Sequence, residues 1–290
     1  MLKIGLVGAD SYHAQAFARL ANLPVSAGGA GLPARVTALW GEHSDRARAL
    51  ALEAGIPEIV RDPLDLVGRV DAVMILLRHG SLHFQAAEPF LRAGIPTWVD
   101  KPFVLEPEQA AELIRLADEH GALLAGGSLC KYCPDVLWLR ERCRTLRNSE
   151  DLLSASLNFP ASLDCPYDGL AFYSIHSIEM LLTIFGPGIC SVKADVTEKA
   201  VVALFKYADF SVCVNFSQVE QFYGTLYSSR EVIVRPIDAS TIYRPGFEKF
   251  VQAVRTGVAP EPASSLLRPV QVLSALLTAV ETGREAFVSN

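Results

Sequence analysis

The chain has no apolar run approaching the roughly 18 residues that a membrane-spanning helix needs, so no membrane span is expected. It has no cluster of lysine and arginine, and its formal net charge is −6. A nucleic-acid or anionic-membrane partner requires a basic patch to meet phosphate, so neither is expected. The first 129 residues hold no cysteine; the six cysteines stand at 130, 133, 143, 165, 190 and 213. A chain of 290 residues needs no disulfide staples to bury a core. The opening Met1-Leu2-Lys3-Ile4-Gly5-Leu6-Val7-Gly8 has too short an apolar run for an export signal, and no small-residue cleavage site follows it. A cytoplasmic protein with free thiols is expected. There is no internal repeat and no low-complexity segment.

What is present is globular: half the residues are apolar and 20% are charged, in a length suited to two domains. Residues 2–7 read as a buried strand and 12–21 as a helix. Residues 22–35 form a loop rich in glycine and proline. Strands follow at 36–40, 71–77, 96–99 and 123–125. Helices follow at 45–54 (capped by Ser44 and stopped by Gly55), 81–93 and 107–120, with a short one after Asp62-Pro63. Pro89 should kink its helix. This alternation predicts a doubly wound parallel sheet with right-handed crossovers, an α/β Rossmann domain over residues 1–125.

Past residue 126 the rhythm changes. A helix at 134–143 precedes alternating segments at 154–159, 191–196, 200–206, 211–216 and 231–235, which read as antiparallel strands with one covered face. Helices are expected at 172–185, 246–256 and 267–282. Residues 126–290 are therefore expected to form an α+β domain on a mainly antiparallel open sheet, carrying the substrate side and oligomer contacts.

The first strand runs into Gly8-Ala9-Asp10-Ser11-Tyr12-His13 and a helix. A strand, tight turn and helix N-terminus present backbone N–H groups where a pyrophosphate sits. Of the usual G-x-G-x-x-G only Gly8 is kept. Asp10 stands at the second glycine, where it either caps the helix or repels phosphate, and His13 stands at the third. The second strand ends at Gly41 rather than at the acid that holds an adenosine ribose. Glu42 reaches the ribose from one position on, or the missing acid admits a 2′-phosphate beside Ser44 or Arg46, or Gly41 simply begins a turn. Lys101, after the strand ending at Val99, is either a solvated charge or a group at the ligand crevice. His176 lies on a helix with Glu179 one turn on. By spacing alone it reads first as a satisfied core histidine and second as an acid/base. Cys130 and Cys133 have C-x-x-C spacing without a second pair, so free thiols are expected rather than zinc or redox chemistry. His79 and His83 straddle a turn, and no metal is expected there.

Together these pieces resemble the glucose–fructose oxidoreductase / inositol dehydrogenase / rhizopine-catabolism (Gfo/Idh/MocA) family across nearly the whole chain. Ala93-Gly94-Ile95-Pro96-Thr97-Trp98-Val99-Asp100-Lys101-Pro102 resembles its A-G-x-x-V-x-x-E-K-P signature, with aspartate for glutamate. Gly127 to Pro134 resembles its G-x-x-x-R-F-x-P segment, with Lys131 for arginine and Tyr132 for phenylalanine. Pro260-Glu261-Pro262, Leu267-Arg268 and Glu281-Thr282-Gly283-Arg284 resemble its C-terminal pattern.

The resemblance implies that Lys101 contacts the nicotinamide side and the substrate hydroxyl. It makes His176 the acid/base, with Glu179 in the aspartate's place. Gly8, Ala9, Asp10, Ser11, Tyr12, Glu42, Leu77, Arg78, His83, Asp100 and Lys101 are placed beside a bound NAD or NADP. Lys131, Tyr173 and Glu179 are placed on the substrate side. Leu77 and Arg78 stand where the family has Thr-Pro. Phe172 replaces an aspartate four residues before the histidine, with Tyr173 and Asp168 as candidate substitutes. The implied activity is hydride transfer between a nicotinamide and a carbinol or carbonyl carbon of a sugar- or cyclitol-like substrate, in a homodimer or homotetramer. The departures at Asp10, Gly41 and Phe172 keep open an alternative: a non-catalytic binding or regulatory protein on the same fold.

Overall fold

The computed structural model describes residues 1–289 and divides them into two compact units. The first comprises Met1–Val104, Glu108–Gly127 and Tyr243–Leu266; the second comprises Leu105–Pro107, Ser128–Ile242 and Leu267–Asn290.

The first unit begins with β1 (Leu2–Val7), α1 (Tyr12–Asn22), β2 (Ala34–Trp40), α2 (Ser44–Ala54) and β3 (Glu58–Ile59). It continues with β4 (Ala72–Ile75), α3 (His83–Arg92), β5 (Thr97–Val99), α4 (Pro107–His120) and β6 (Leu124–Gly126). The six strands form one sheet in the order β3-β2-β1-β4-β5-β6, parallel at every pairing. This is the doubly wound architecture that the strand–helix alternation predicts. Strand order reverses between β1 and β4, and in such sheets the crevice at the carboxyl ends there receives the ligand. All four residues of β4 are buried, in keeping with a central parallel strand covered on both faces.

Sequence order hides one member of this unit. Helix α7 (Tyr243–Thr256) belongs to it although more than a hundred residues separate it from β6. The cause is an aromatic core. Phe17 of α1 lies edge-on to Trp98 of β5 at 6.2 Å between centroids and 5.9 Å from Phe247, and Trp98 lies 5.8 Å from Phe250. Phe17, Trp98, Phe247 and Phe250 are all fully buried. Each such side chain buries enough apolar surface to contribute about 1.5–3 kcal/mol.

Several local expectations are corrected. Ser11, not Asp10, caps α1: its side chain accepts from the Ala14 N–H at 3.0 Å. Ser44 is the first residue of α2, and His43 at the cap position makes no side-chain capping bond. The short helix after Asp62 is a single 3₁₀ turn closed by a capping box between Asp62 and Asp65. Helix α3 starts at His83, behind a 3₁₀ turn over Gly80–Leu82, and holds Pro89 inside it as expected.

The second unit contains α5 (Pro134–Asn148), β7 (Leu152–Pro160), α6 (Ala171–Phe185), β8 (Ser191–Val196), β9 (Val201–Lys206) and β10 (Ser211–Ser217). β11 (Tyr223–Ser228), β12 (Val232–Pro236), most of α8 (Ser264–Thr282) and β13 (Ala286–Phe287) complete it. Its seven-stranded sheet runs β12-β11-β7-β10-β9-β8-β13 and is antiparallel except between β7 and β10. Ala155, Leu157 and Phe159 along β7 and Val212, Val214 and Phe216 along β10 form the buried face; their neighbours are half-buried except Asn158, which is buried. On the opposite face Tyr223, Tyr227, Val232, Val234 and Val202 are exposed. Arg268 ties α8 to the connection between α6 and β8 and to the segment after β13, donating to the carbonyls of Pro187, Ile189 and Ser289.

Candidate active site

In the first unit, β1 gives way to Gly8 at φ 107°, a left-handed value that favours glycine. A Cβ there would stand 2.8–2.9 Å from the backbone of Leu76 and Leu77, so Gly8 also lets the ends of β1 and β4 close on each other. Helix α1 then starts under the Ser11 cap. Among the described residues, the N–H groups of Asp10, Ser11 and Tyr12 meet no acceptor. They add to the positive end of the helix dipole, and this donor set fits a phosphate group.

Asp10 is half-buried and faces Arg78, which lies just beyond β4. Arg78 Nε donates to the Asp10 carbonyl at 3.1 Å, Nη2 donates to the same oxygen, and Nε lies 3.5 Å from Asp10 Oδ2. His13 Nδ1 lies 2.7 Å from Asp100 Oδ2 at the end of β5. Asp100 is 2% exposed, and its Oδ1 is buried without a hydrogen-bond partner among the described residues. Burial alone would raise the Asp100 pKa, but the charge and hydrogen bond of His13, then Lys101 and His83, outweigh it and hold the carboxyl below its ordinary range. Lys101, next in the chain, is 4% exposed. His83 is fully buried between two carbonyl oxygens, with Nδ1 2.6 Å from that of Pro102 and Nε2 2.9 Å from that of Leu77. It therefore pins the end of β4 to the segment carrying Lys101.

Gly41 has a packing cause. A Cβ at this position would stand 2.7 Å from the Ala9 Cβ and 3.1 Å from the Ala47 Cβ, so an acid at the end of β2 has no room. Glu42 is exposed. Tyr12 is exposed and lies edge-on to Tyr243 at 5.6 Å.

In the second unit, the 3₁₀ turn Leu129–Tyr132 and helix α6 hold a buried polar group together. Ser128 Oγ lies 2.6 Å from His176 Nδ1 and accepts from the Cys130 N–H at 3.1 Å. Glu179 accepts from the Ser128 N–H through Oε1 and pairs with Lys131 Nζ at 3.2 Å through Oε2. Ser128, Lys131, His176 and Glu179 are all buried. A buried ion pair holds only with its remaining lone pairs satisfied, and the Ser128 N–H supplies that here. The His176 ring lies 5.7 Å from Phe159 and 6.2 Å from Tyr173.

The structure thus brings Gly8 to Tyr12, Leu77, Arg78, His83, Asp100 and Lys101 to the carboxyl ends of β1, β4 and β5. It gathers Lys131, His176 and Glu179 in the second unit, with Tyr173 beside the histidine at 44% exposure. Phe172 joins an aromatic group with Tyr167 at 5.2 Å and Tyr173 at 4.7 Å. Asp168 sits in the turn before α6 at φ 61°. The two thiols of Cys130-Lys131-Tyr132-Cys133 point to separate partners: Cys130 Sγ lies 3.5 Å from His176 Nδ1, and Cys133 donates to the Asp238 carbonyl. Burial pushes the Cys133 thiol pKa up. Ser128 is the functional-site residue that the motifs did not mark; its partners lie 48 and 51 residues away.

Comparison with known proteins agrees with this geometry. Residues 2–128 match the sequence pattern of GFO_IDH_MocA, described as an oxidoreductase family with an NAD-binding Rossmann fold. UDP-N-acetylglucosamine 3-dehydrogenase from Acidithiobacillus ferrooxidans is 27% identical over 212 residues, covering 70% of this chain and 61% of that protein's length. Among solved structures, GenD2 from gentamicin A biosynthesis, in complex with NAD, superimposes with a TM-score of 0.85 at 17% identity, covering 100% of this chain and 97% of that one. Scyllo-inositol dehydrogenase from Lactobacillus casei, with bound NAD(H) and scyllo-inositol, gives 0.82 at 16% identity over the full length of both. These two likenesses show a shared fold. No helix among the described residues is long and apolar enough to cross a membrane. With a parallel first sheet, a mainly antiparallel second sheet and the sequence match over residues 2–128, the chain is similar to the Gfo/Idh/MocA oxidoreductases, and the family match lies within its first unit.

Proposed function

We propose that this protein is an NAD- or NADP-dependent oxidoreductase. It transfers a hydride between the nicotinamide and a carbinol or carbonyl carbon of a sugar- or cyclitol-like substrate. One observation carries the reading: a buried lysine, Lys101, at the carboxyl end of the same parallel sheet that presents the open N–H groups of α1. The relatives support the substrate class, since one acts on a nucleotide sugar and another binds a cyclitol.

The nucleotide, once bound, supplies the hydride chemistry. The N–H groups of Asp10, Ser11 and Tyr12 hold its phosphates, with Gly8, Ala9, Leu77 and Arg78 at the walls and Glu42 toward the ribose. Lys101 lowers the pKa of the substrate hydroxyl by its charge, and Asp100, held ionised by His13, fixes the segment from which Lys101 projects. His176 takes the hydroxyl proton at Nε2. In that role Nδ1–H donates to Ser128 Oγ, which also accepts from Cys130 N–H, so Nε2 is the nitrogen that takes the proton. Lys131, Glu179 and Tyr173 line the substrate side. The protein acts in the cytoplasm as a homo-oligomer.

The test is calorimetric titration with NAD, NADH, NADP and NADPH, followed by a polyol and sugar screen. Micromolar affinity, about −8 kcal/mol, is expected for at least one nucleotide. Lys101→Ala and His176→Ala should each lower turnover by about 10²-fold or more while the fold persists. Full activity in either variant overturns the mechanism. A second reading, binding without turnover, is favoured by Phe172, which puts an aromatic ring where a proton-relay acid would stand. It predicts nucleotide affinity with no product from any polyol.

A further inference from the structure

Two of the three glycine positions in the nucleotide turn carry charged or protonatable side chains in this chain, and each meets its opposite at the carboxyl end of a neighbouring strand. His13 meets Asp100 beyond β5 at 2.7 Å, and Asp10 meets Arg78 beyond β4. The second pair matters more for an anionic ligand, because Asp10 stands within the turn whose N–H groups face outward. A carboxylate there opposes a phosphate at short range, and the α1 dipole, worth at most a partial charge, cannot cancel it alone. Arg78 supplies a full one. Its guanidinium is anchored on the Asp10 carbonyl through Nε and Nη2 and lies 3.5 Å from Oδ2. Both side chains keep part of their surface open, 33% for Arg78 and 24% for Asp10, so the pair is seated but still in reach of a ligand.

We propose that Arg78 is a nucleotide-binding residue through charge compensation: it neutralises Asp10 and so restores the anion affinity that a glycine turn has by default. This rests on the reading that the first unit binds a dinucleotide. Asp10 and Arg78 then act as a coupled unit, tolerable together and harmful when the arginine alone is lost.

The experiment is a double-mutant cycle on the full-length chain, Arg78→Ala, Asp10→Gly and both, with NADH and NADPH titrated calorimetrically at low and high salt. Arg78→Ala should weaken binding about 10-fold or more, within the coupling range of neighbouring charges. The loss should shrink at high salt. Asp10→Gly should bind more tightly than the native chain, and the double variant should recover to within about 3-fold of native affinity. Should Arg78→Ala fail to fold, Arg78→Lys and Arg78→Gln replace it, the lysine variant retaining affinity and the glutamine variant losing it. Native affinity in the Arg78 variant, or a double variant as weak as the single one, overturns the inference while leaving the nucleotide reading in place. A native chain that binds neither NADH nor NADPH overturns that reading and this inference with it.

Discussion

Ser128 controls what His176 is able to do. Its hydroxyl is held by the Cys130 N–H and set 2.6 Å from Nδ1, so the Nδ1 side of the imidazole is tied to the turn that begins at Ser128. Ser128→Ala removes the hydroxyl that the Cys130 N–H and Nδ1 share in a buried place, which costs about 1–3 kcal/mol. It should lower kcat about 10-fold or more and displace the acidic limb of the pH–rate profile. Ser128→Thr should retain the profile; an unchanged profile in the alanine variant would leave the serine a purely structural part. Asp100 gives a second prediction. Its folded-state pKa lies below the ordinary value of 3.8. The stabilisation is therefore complete above that value and lost as pH falls through the depressed one. Denaturant unfolding at pH 7, 5 and 3 should show a larger loss toward pH 3 in the native chain than in Asp100→Asn, in which only the other depressed carboxyls, such as Glu285 and Asp151, still contribute. The motifs gave Lys101, His176 and Glu179 because a signature or a helical spacing marks them. They could not give Ser128, whose role comes from side chains 48 and 51 residues away, nor the partners of Asp10 and His13.

Among the elements, those longer than five residues with a clear period were readable, and most ends fell within a few residues. β3 was not readable, because two residues carry no period. β11 was hidden by Gly224 inside a run of tyrosine, threonine and serine, and its pairing with β7 is what defines it. A Cβ at that glycine would stand 2.7 Å from Leu139 Cδ1, so the leucine packs directly over the strand there. The turn from β2 to α2 shows the same limit. Sequence alone left three readings of Gly41, and packing against Ala9 and Ala47 removes the idea of an optional turn residue. Gly41→Asp, which restores the missing ribose acid, should therefore cost about 1–3 kcal/mol by overpacking. A fall in melting temperature, relieved by adding Ala9→Gly, would confirm that the two positions compete for one space. An undiminished melting temperature in the single variant would refute it.

For the molecule as a whole, the exposed face of the second sheet is the feature to test. Val202, Val232, Val234, Tyr223 and Tyr227 give it apolar character, and such a patch is expected to be covered in a homo-oligomer. Light scattering should report a dimer or tetramer. Val232→Glu with Val234→Glu should shift it toward the monomer without changing the far-ultraviolet spectrum, and a monomeric native protein would sink the proposal.

The aromatic core of the first unit has its own consequence for how the protein is made. Phe17 and Trp98 leave the ribosome well over a hundred residues before Phe247 and Phe250. Domains usually fold as they emerge. This one has to wait for its last helix, with Phe17 and Trp98 incompletely covered until α7 docks. During synthesis the nucleotide sheet is therefore the vulnerable half of the protein, and its dependence on chaperones should end only once residue 250 has cleared the exit tunnel.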